Sequence, residues 1–146
     1  MMTNRALISK VRTEPEHAIM HDWWFALIAA AFGSIGFVDE PTVMYRQHSA
    51  NEVGAKEVNS LSYIVTRSAS IIKSPSNAKQ RITATYEQAS SFLNSFKDEL
   101  SEEALKLISE YVSVANANIF TKIHKMNKYG FWKTGLLRKV GQIIYA

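Results

Sequence analysis

Residues 21–56 read HDWWFALIAAAFGSIGFVDEPTVMYRQHSANEVGAK. From Asp22 the residues are apolar on nearly every side as far as Phe32, and Gly33 follows as a helix-ending residue. The pattern predicts a buried helix, because a helix that is apolar all round has no face to offer water. Ile35 to Val38 and Thr42 to Arg46 then read as two short strands, with Asp39-Glu40-Pro41 as the turn between them. Gln47 to Ala55 is polar, contains Gly54, and reads as a loop.

Upstream, Asn4 to Val11 predicts a short helix with Leu7, Ile8 and Val11 turned inward, and Thr13 to His21, with Pro15, a loop. Downstream the chain reads as helical throughout. Val58, Leu61, Ile64, Val65, Ala69 and Ile72 recur at helical spacing over Glu57 to Ile72. Ser74-Pro75 resembles an N-cap followed by a first-turn proline, opening a helix with Ile82, Tyr86, Ala89, Leu93 and Phe96 on one side. Ser101-Glu102-Glu103 opens another, since acidic side chains suit the positive end of the helix dipole, and its apolar positions continue to Tyr129 before Gly130. A last segment, Phe131 to Tyr145, places Leu136, Leu137, Val140 and Ile144 on one side. The expected class is therefore α+β and predominantly helical, a short β-hairpin followed by several C-terminal helices. Residues 1–56 form one part and 57–146 a helical extension with a basic tail.

At 146 residues, 47% hydrophobic and without cysteine, the chain has the composition of a single globular core. Disulfide scaffolds and cysteine-based zinc sites are excluded. The longest apolar run, Trp23 to Phe32, is about half of a membrane-spanning helix. The N-terminus does not join a basic segment to an apolar one, so a cytoplasmic location is expected.

The net charge of +4 is unevenly spread. No acidic residue follows Glu110, while Lys122, Lys125, Lys128, Lys133, Arg138 and Lys139 do. Interleaved with Ile123, Phe131, Trp132 and Val140, these cations suit an anionic membrane surface, where each contributes about 1 kcal/mol. An ordinary last helix with a solvated face explains them equally well. Nucleic acid is the weakest partner on this reading, because no nucleic-acid-binding signature accompanies the charge.

Two clusters carry potential chemistry. Asp22 stands where a helix begins; an N-cap carboxylate explains it, and a general base flanked by Trp23 or Trp24 is compatible with the same position. Arg46, Gln47 and His48 gather cationic and donor groups at a strand end, an arrangement suited to a phosphate or a metal-bound diphosphate, while an ordinary surface-exposed histidine is the commoner explanation of His48. His17 and His21 have the spacing of helical metal ligands, but Pro15 argues against a helix there.

The stretch 21–56 closely resembles the C-terminal part of the catalytic domain of family 2 glycosyltransferases, most of all bacterial rhamnosyltransferase-type enzymes of cell-surface polysaccharide synthesis. The start, Met1 to Leu7, and the basic end, Tyr129 to Lys139, are similar to the neighbouring segments of such enzymes. The resemblance implies the C-terminal portion of a GT-A-type α/β fold, and inverting transfer of a sugar from a nucleotide sugar to a glycan or lipid-linked acceptor. It implies Asp22 as the catalytic base and His48 as a ligand of a divalent metal, Mg or Mn. Arg46 and Gln47 would stand near the donor diphosphate, and Trp23 and Trp24 beside the acceptor.

One departure is large. The only aspartates are Asp22, Asp39 and Asp98, so the family's Asp-x-Asp metal motif is missing, and with it the nucleotide-binding half. The chain is therefore expected to be a C-terminal part that transfers no sugar alone, holds no metal tightly, and self-associates to cover the exposed Trp23–Phe32 face and strand edges. The competing expectation is a non-catalytic helical interaction or membrane-association module, peripheral to the inner face of the cytoplasmic membrane.

Overall fold

The computed structural model describes residues 1–11, 18–41 and 75–145. The chain divides into two compact units, one of Met1–Ile35 with Ser76–Ala146 and the other of Gly36–Pro75. The described residues form six helices: α1 (Arg5–Lys10), α2 (His21–Phe32), α3 (Pro75–Phe96), α4 (Glu102–Val114), α5 (Ile119–Tyr129) and α6 (Leu136–Tyr145). The expected helix over Glu57 to Ile72, its boundary at residues 56 and 57, and the Ser74 cap lie outside the described residues.

The expected hairpin is not shown among the described residues. Among the described residues there is no strand, and the backbone is irregular from 34 to 39. Ile35, Phe37 and Val38 stand exposed. A four-residue run next to two glycines gains strand structure only when a partner supplies its ladder of hydrogen bonds. The second expected strand, Thr42 to Arg46, lies outside the described residues.

The longest helix, α3, organises the larger unit. Its C-terminal half supplies Phe92 and Phe96 to a cluster with Trp24 and Ile28 of α2, joined by Leu7, Val11 and Ile108. The Trp24 and Phe92 rings meet edge to face at 5.2 Å, a favourable aromatic geometry. Its N-terminal half places Ile82 and Tyr86 against Val114 of α4 and Met126 of α5, with Phe131 and Trp132 alongside. The inward face thus runs through Phe92 and Gln88, with the expected Ala89 and Leu93 only half-buried. In α1, Leu7 packs inward as expected but Ile8 is exposed.

The single helix expected from Ser101 to Tyr129 is in fact two. Ser101 caps α4 as expected, its Oγ accepting from the Ala104 N–H at 3.2 Å. The break comes at Asn118, whose Oδ1 accepts from the Thr121 N–H at 2.9 Å. In a continuous helix that N–H would bond to the Ala117 carbonyl, so the asparagine side chain competes with the backbone and starts a new helix. A Lys125 Nζ–Glu110 Oε2 ion pair at 2.7 Å then ties α5 back to α4.

At the end of α5, Gly130 adopts φ 71°, a left-handed conformation that costs glycine nothing. The Phe131 N–H reaches back to the Met126 carbonyl at 3.1 Å, closing a Schellman turn. Phe131 is thereby delivered to the core beside Met126.

Candidate functional site

Helix α2 starts one residue earlier than expected. Met20, in extended conformation, occupies the cap position and its carbonyl accepts from the Trp24 N–H at 3.2 Å. Asp22 is therefore not the N-cap but the second helical residue. Its Oδ1 accepts from the Trp23 N–H at 2.9 Å, and Oδ2 has no partner among the described residues. The carboxylate still satisfies a first-turn N–H and faces the positive end of the dipole, the two services that make an aspartate favourable there.

The adjacent tryptophans part company. Trp24 is 3% exposed and packs on Phe92 and Phe96, so it is core and cannot meet an acceptor. Trp23 is 48% exposed beside the Asp22 carboxylate, with His21 exposed next to it. Arg46, Gln47 and His48 lie outside the described residues. Among the described residues, no three carboxylates or imidazoles come together to hold a metal ion.

The basic tail is not one surface. Lys122 is buried and engaged, and Lys125 is committed to Glu110 and donates to Ser113 Oγ at 2.6 Å. Lys128 lies over the Tyr129 ring at 5.2 Å and Lys139 over Trp132 at 6.0 Å. Within α6 the expected inward residues Val140 and Ile144 are 45% and 62% exposed, and Arg138 and Lys139 are exposed as well. The helix is instead anchored by Gln142, 1% exposed. Its Oε1 accepts from the Lys133 N–H at 2.8 Å and its Nε2 donates to the Phe131 carbonyl at 3.0 Å.

A feature that charge counting along the tail missed lies in the same unit. An open apolar cleft of about 320 Å³ runs between α2, α3 and α4, lined by Leu27, Thr85, Phe92, Ile108, Tyr111 and Phe131 among others. The Thr85 Oγ1 and Tyr111 hydroxyl share a hydrogen bond of 2.9 Å in its wall. Arg81 sits one helical turn before Thr85 on α3, and Lys133 two residues after Phe131. Burial lowers the Lys133 pKa below the usual lysine range, and the charges of Arg81 and Arg138 lower it further. No carboxylate among the described residues pairs with any of these three cations. Arg81 carried no signal in the sequence, because it is far from the basic tail along the chain.

Among the described residues no helix is long and apolar enough to cross a membrane. Comparisons with protein-family models, with curated proteins and with solved structures each find no match.

Proposed function

We propose that this chain supplies the acceptor side of an inverting sugar transferase of the family 2 type, with Asp22 as the general base. The observation that carries the reading is the placement of Asp22. Its helix is rooted in the core through Trp24 and Ile28, while its carboxylate stands at the solvent-facing N-terminal end. One oxygen is held by the Trp23 N–H, and the other, without a partner among the described residues, would serve a substrate hydroxyl as general base. Trp23 offers an exposed aromatic face beside it for stacking on a sugar.

By the resemblance, His48 would meet the divalent metal and Arg46 and Gln47 the donor diphosphate, where a cation offsets charge on the leaving group. The donor-binding half with its Asp-x-Asp motif is not in this sequence. The test is a polypeptide in which that half precedes this chain, assayed for transfer of labelled sugar from nucleotide sugars. Asp22→Asn should abolish transfer while donor binding stays intact. Undiminished turnover in the variant refutes the assignment.

A second reading, a helical module that associates with membranes or partner proteins, draws on one observation. Helix α6 leaves Val140 and Ile144 exposed on one side and carries the exposed Arg138 and Lys139 away from them, a composition that suits a helix lying on an anionic surface. Vesicle co-sedimentation that depends on Arg138 and Lys139 separates it from the first.

A further inference from the structure

We propose that the cleft between α2, α3 and α4 binds a small apolar molecule bearing one hydroxyl, its body against the cleft walls and its hydroxyl between Gln88 and Tyr111. Such a site is independent of Asp22 and of any sugar transfer. An apolar cavity of about 150 Å³ suffices for benzene, so a cleft of about 320 Å³ has room for one ring and a short alkyl chain. Leu27, Phe92, Leu107 and Ile108 supply apolar walls. A sugar or a nucleotide would leave several polar groups unpaired against them.

Two polar groups in the lining have bonding capacity to spare, and their existing hydrogen bonds fix what each can offer. Gln88 is 6% exposed, and its Oε1 accepts from the Ile19 N–H at 2.9 Å. That bond orients the amide and leaves Nε2 as its free end. Nε2 finds no acceptor among the described residues and is not sealed from solvent, so it stands open at the cleft that Gln88 lines. A donor on a side chain held this firmly loses little freedom when a ligand accepts from it.

The second group is the Tyr111 phenol. Thr85 Oγ1 donates its one proton to the Ile82 carbonyl at 2.7 Å, so the 2.9 Å bond between Thr85 and Tyr111 is donated by the Tyr111 hydroxyl. With its proton committed, the Tyr111 oxygen can only accept. Thr85 and Gln88 are three apart on α3, which makes their side chains neighbours about 5–6 Å apart at Cβ. The Tyr111 oxygen bonded to Thr85 and the Gln88 amide therefore border one stretch of wall, an acceptor beside a donor. A hydroxyl is the smallest group that answers both. A carboxylate or a phosphate dianion has no proton for Tyr111, and a hydrocarbon answers neither.

The test is calorimetric titration of the full chain with 4-ethylphenol, with 4-ethylanisole and ethylbenzene as matched controls. The anisole accepts but cannot donate, and the hydrocarbon does neither. Saturable binding is expected, with ethylanisole about threefold and ethylbenzene about tenfold weaker than ethylphenol. Tyr111→Phe should bring ethylphenol down to the level of ethylanisole, and Gln88→Met should bring ethylanisole down to that of ethylbenzene. Unchanged ethylbenzene binding in both variants shows that the cleft is intact. If Gln88→Met fails to fold, the ratio of ethylanisole to ethylbenzene in the unaltered chain reads the same donor. Leu107→Trp, at a 44% exposed position on the cleft wall, should weaken all three ligands. No saturable binding, equal binding of the phenol and the hydrocarbon, a phenol preference that survives Tyr111→Phe, or indifference to Leu107→Trp would each overturn the proposal.

Discussion

Replacing Gln142 by alanine perturbs the polar pin that holds α6. The amide makes two hydrogen bonds, to the Lys133 N–H at 2.8 Å and to the Phe131 carbonyl at 3.0 Å, from a side chain that is 1% exposed. Each bond contributes about 1 kcal/mol net, so losing both costs about 2 kcal/mol. The enclosed void left by the shortened side chain adds about 1 kcal/mol, for a total near 3 kcal/mol. For a chain of this size that corresponds to a fall of about 6–12 °C in Tm. Gln142→Leu keeps most of the volume and isolates the hydrogen-bond part, so it should lose about 2 kcal/mol. Urea unfolding followed by far-ultraviolet circular dichroism gives the free energies, and tryptophan emission gives a partly local readout. Trp132 lies between the two bonded positions, and its Nε1 donates to Asn127 Oδ1 at 2.7 Å. A loss below about 1 kcal/mol for both variants would show that the pin contributes little and that α6 is held by something else.

Tyr86→Phe should leave stability unchanged or raise it by up to about 1 kcal/mol in the same assay. The Tyr86 hydroxyl is buried without a hydrogen-bond partner among the described residues, and burial, reinforced by Tyr111, pushes its pKa up to about 12. A loss greater than about 1 kcal/mol would mean that the hydroxyl is satisfied after all. Asn118→Ala removes the cap that divides α4 from α5 and should cost about 1 kcal/mol; a stabilised variant would mean that a continuous helix is the better solution for this sequence. Finally, the Lys125 hydrogen bond and charge hold the Glu110 carboxyl below the usual carboxylate range. Its folded pKa lies below its unfolded one, so its stabilisation is present above the unfolded value and fades as pH falls through the folded value. Glu110→Gln should therefore flatten the acid side of the stability curve, and identical acid slopes for the two proteins would refute the pairing.

Local signals that rest on one or two residues were legible in the sequence. The Gly33 and Gly130 ends, the Ser101 cap and the start of α3 at Pro75 appear where their chemistry requires. Features that depend on competition between two satisfactory solutions were not. Apolar periodicity ran unbroken through residues 101–129, and only the hydrogen bond of Asn118 decides for two helices. The tail showed the same limit. Val140 and Ile144 have the spacing of a buried stripe, yet one glutamine between them takes the inward position because it finds two backbone partners. The isolated run Ile35–Val38 looked like a strand because strand propensity measures fit to a sheet, and no partner strand is present among the described residues. For the candidate site, Asp22 was legible as a residue at a helix start, whereas the division of labour between Trp23 and Trp24 came only from packing. Arg81 and Lys133 could not be related on paper, since two helices, α4 and α5, lie between them along the chain.

The way α6 is anchored also bears on alignment. An apolar stripe is forgiving, for a helix held by methyl groups can slide by a turn and find other methyl groups to touch. The two-pronged amide of Gln142 has no such neighbour: one turn back stands Arg138, which has no acceptor to offer the Lys133 N–H. Sliding would strand both prongs, so the contact acts as a keyed joint that admits one position. Helix α6 can thus leave Val140 and Ile144 facing outward without losing its place, and the end of the chain is located by shape rather than by grease.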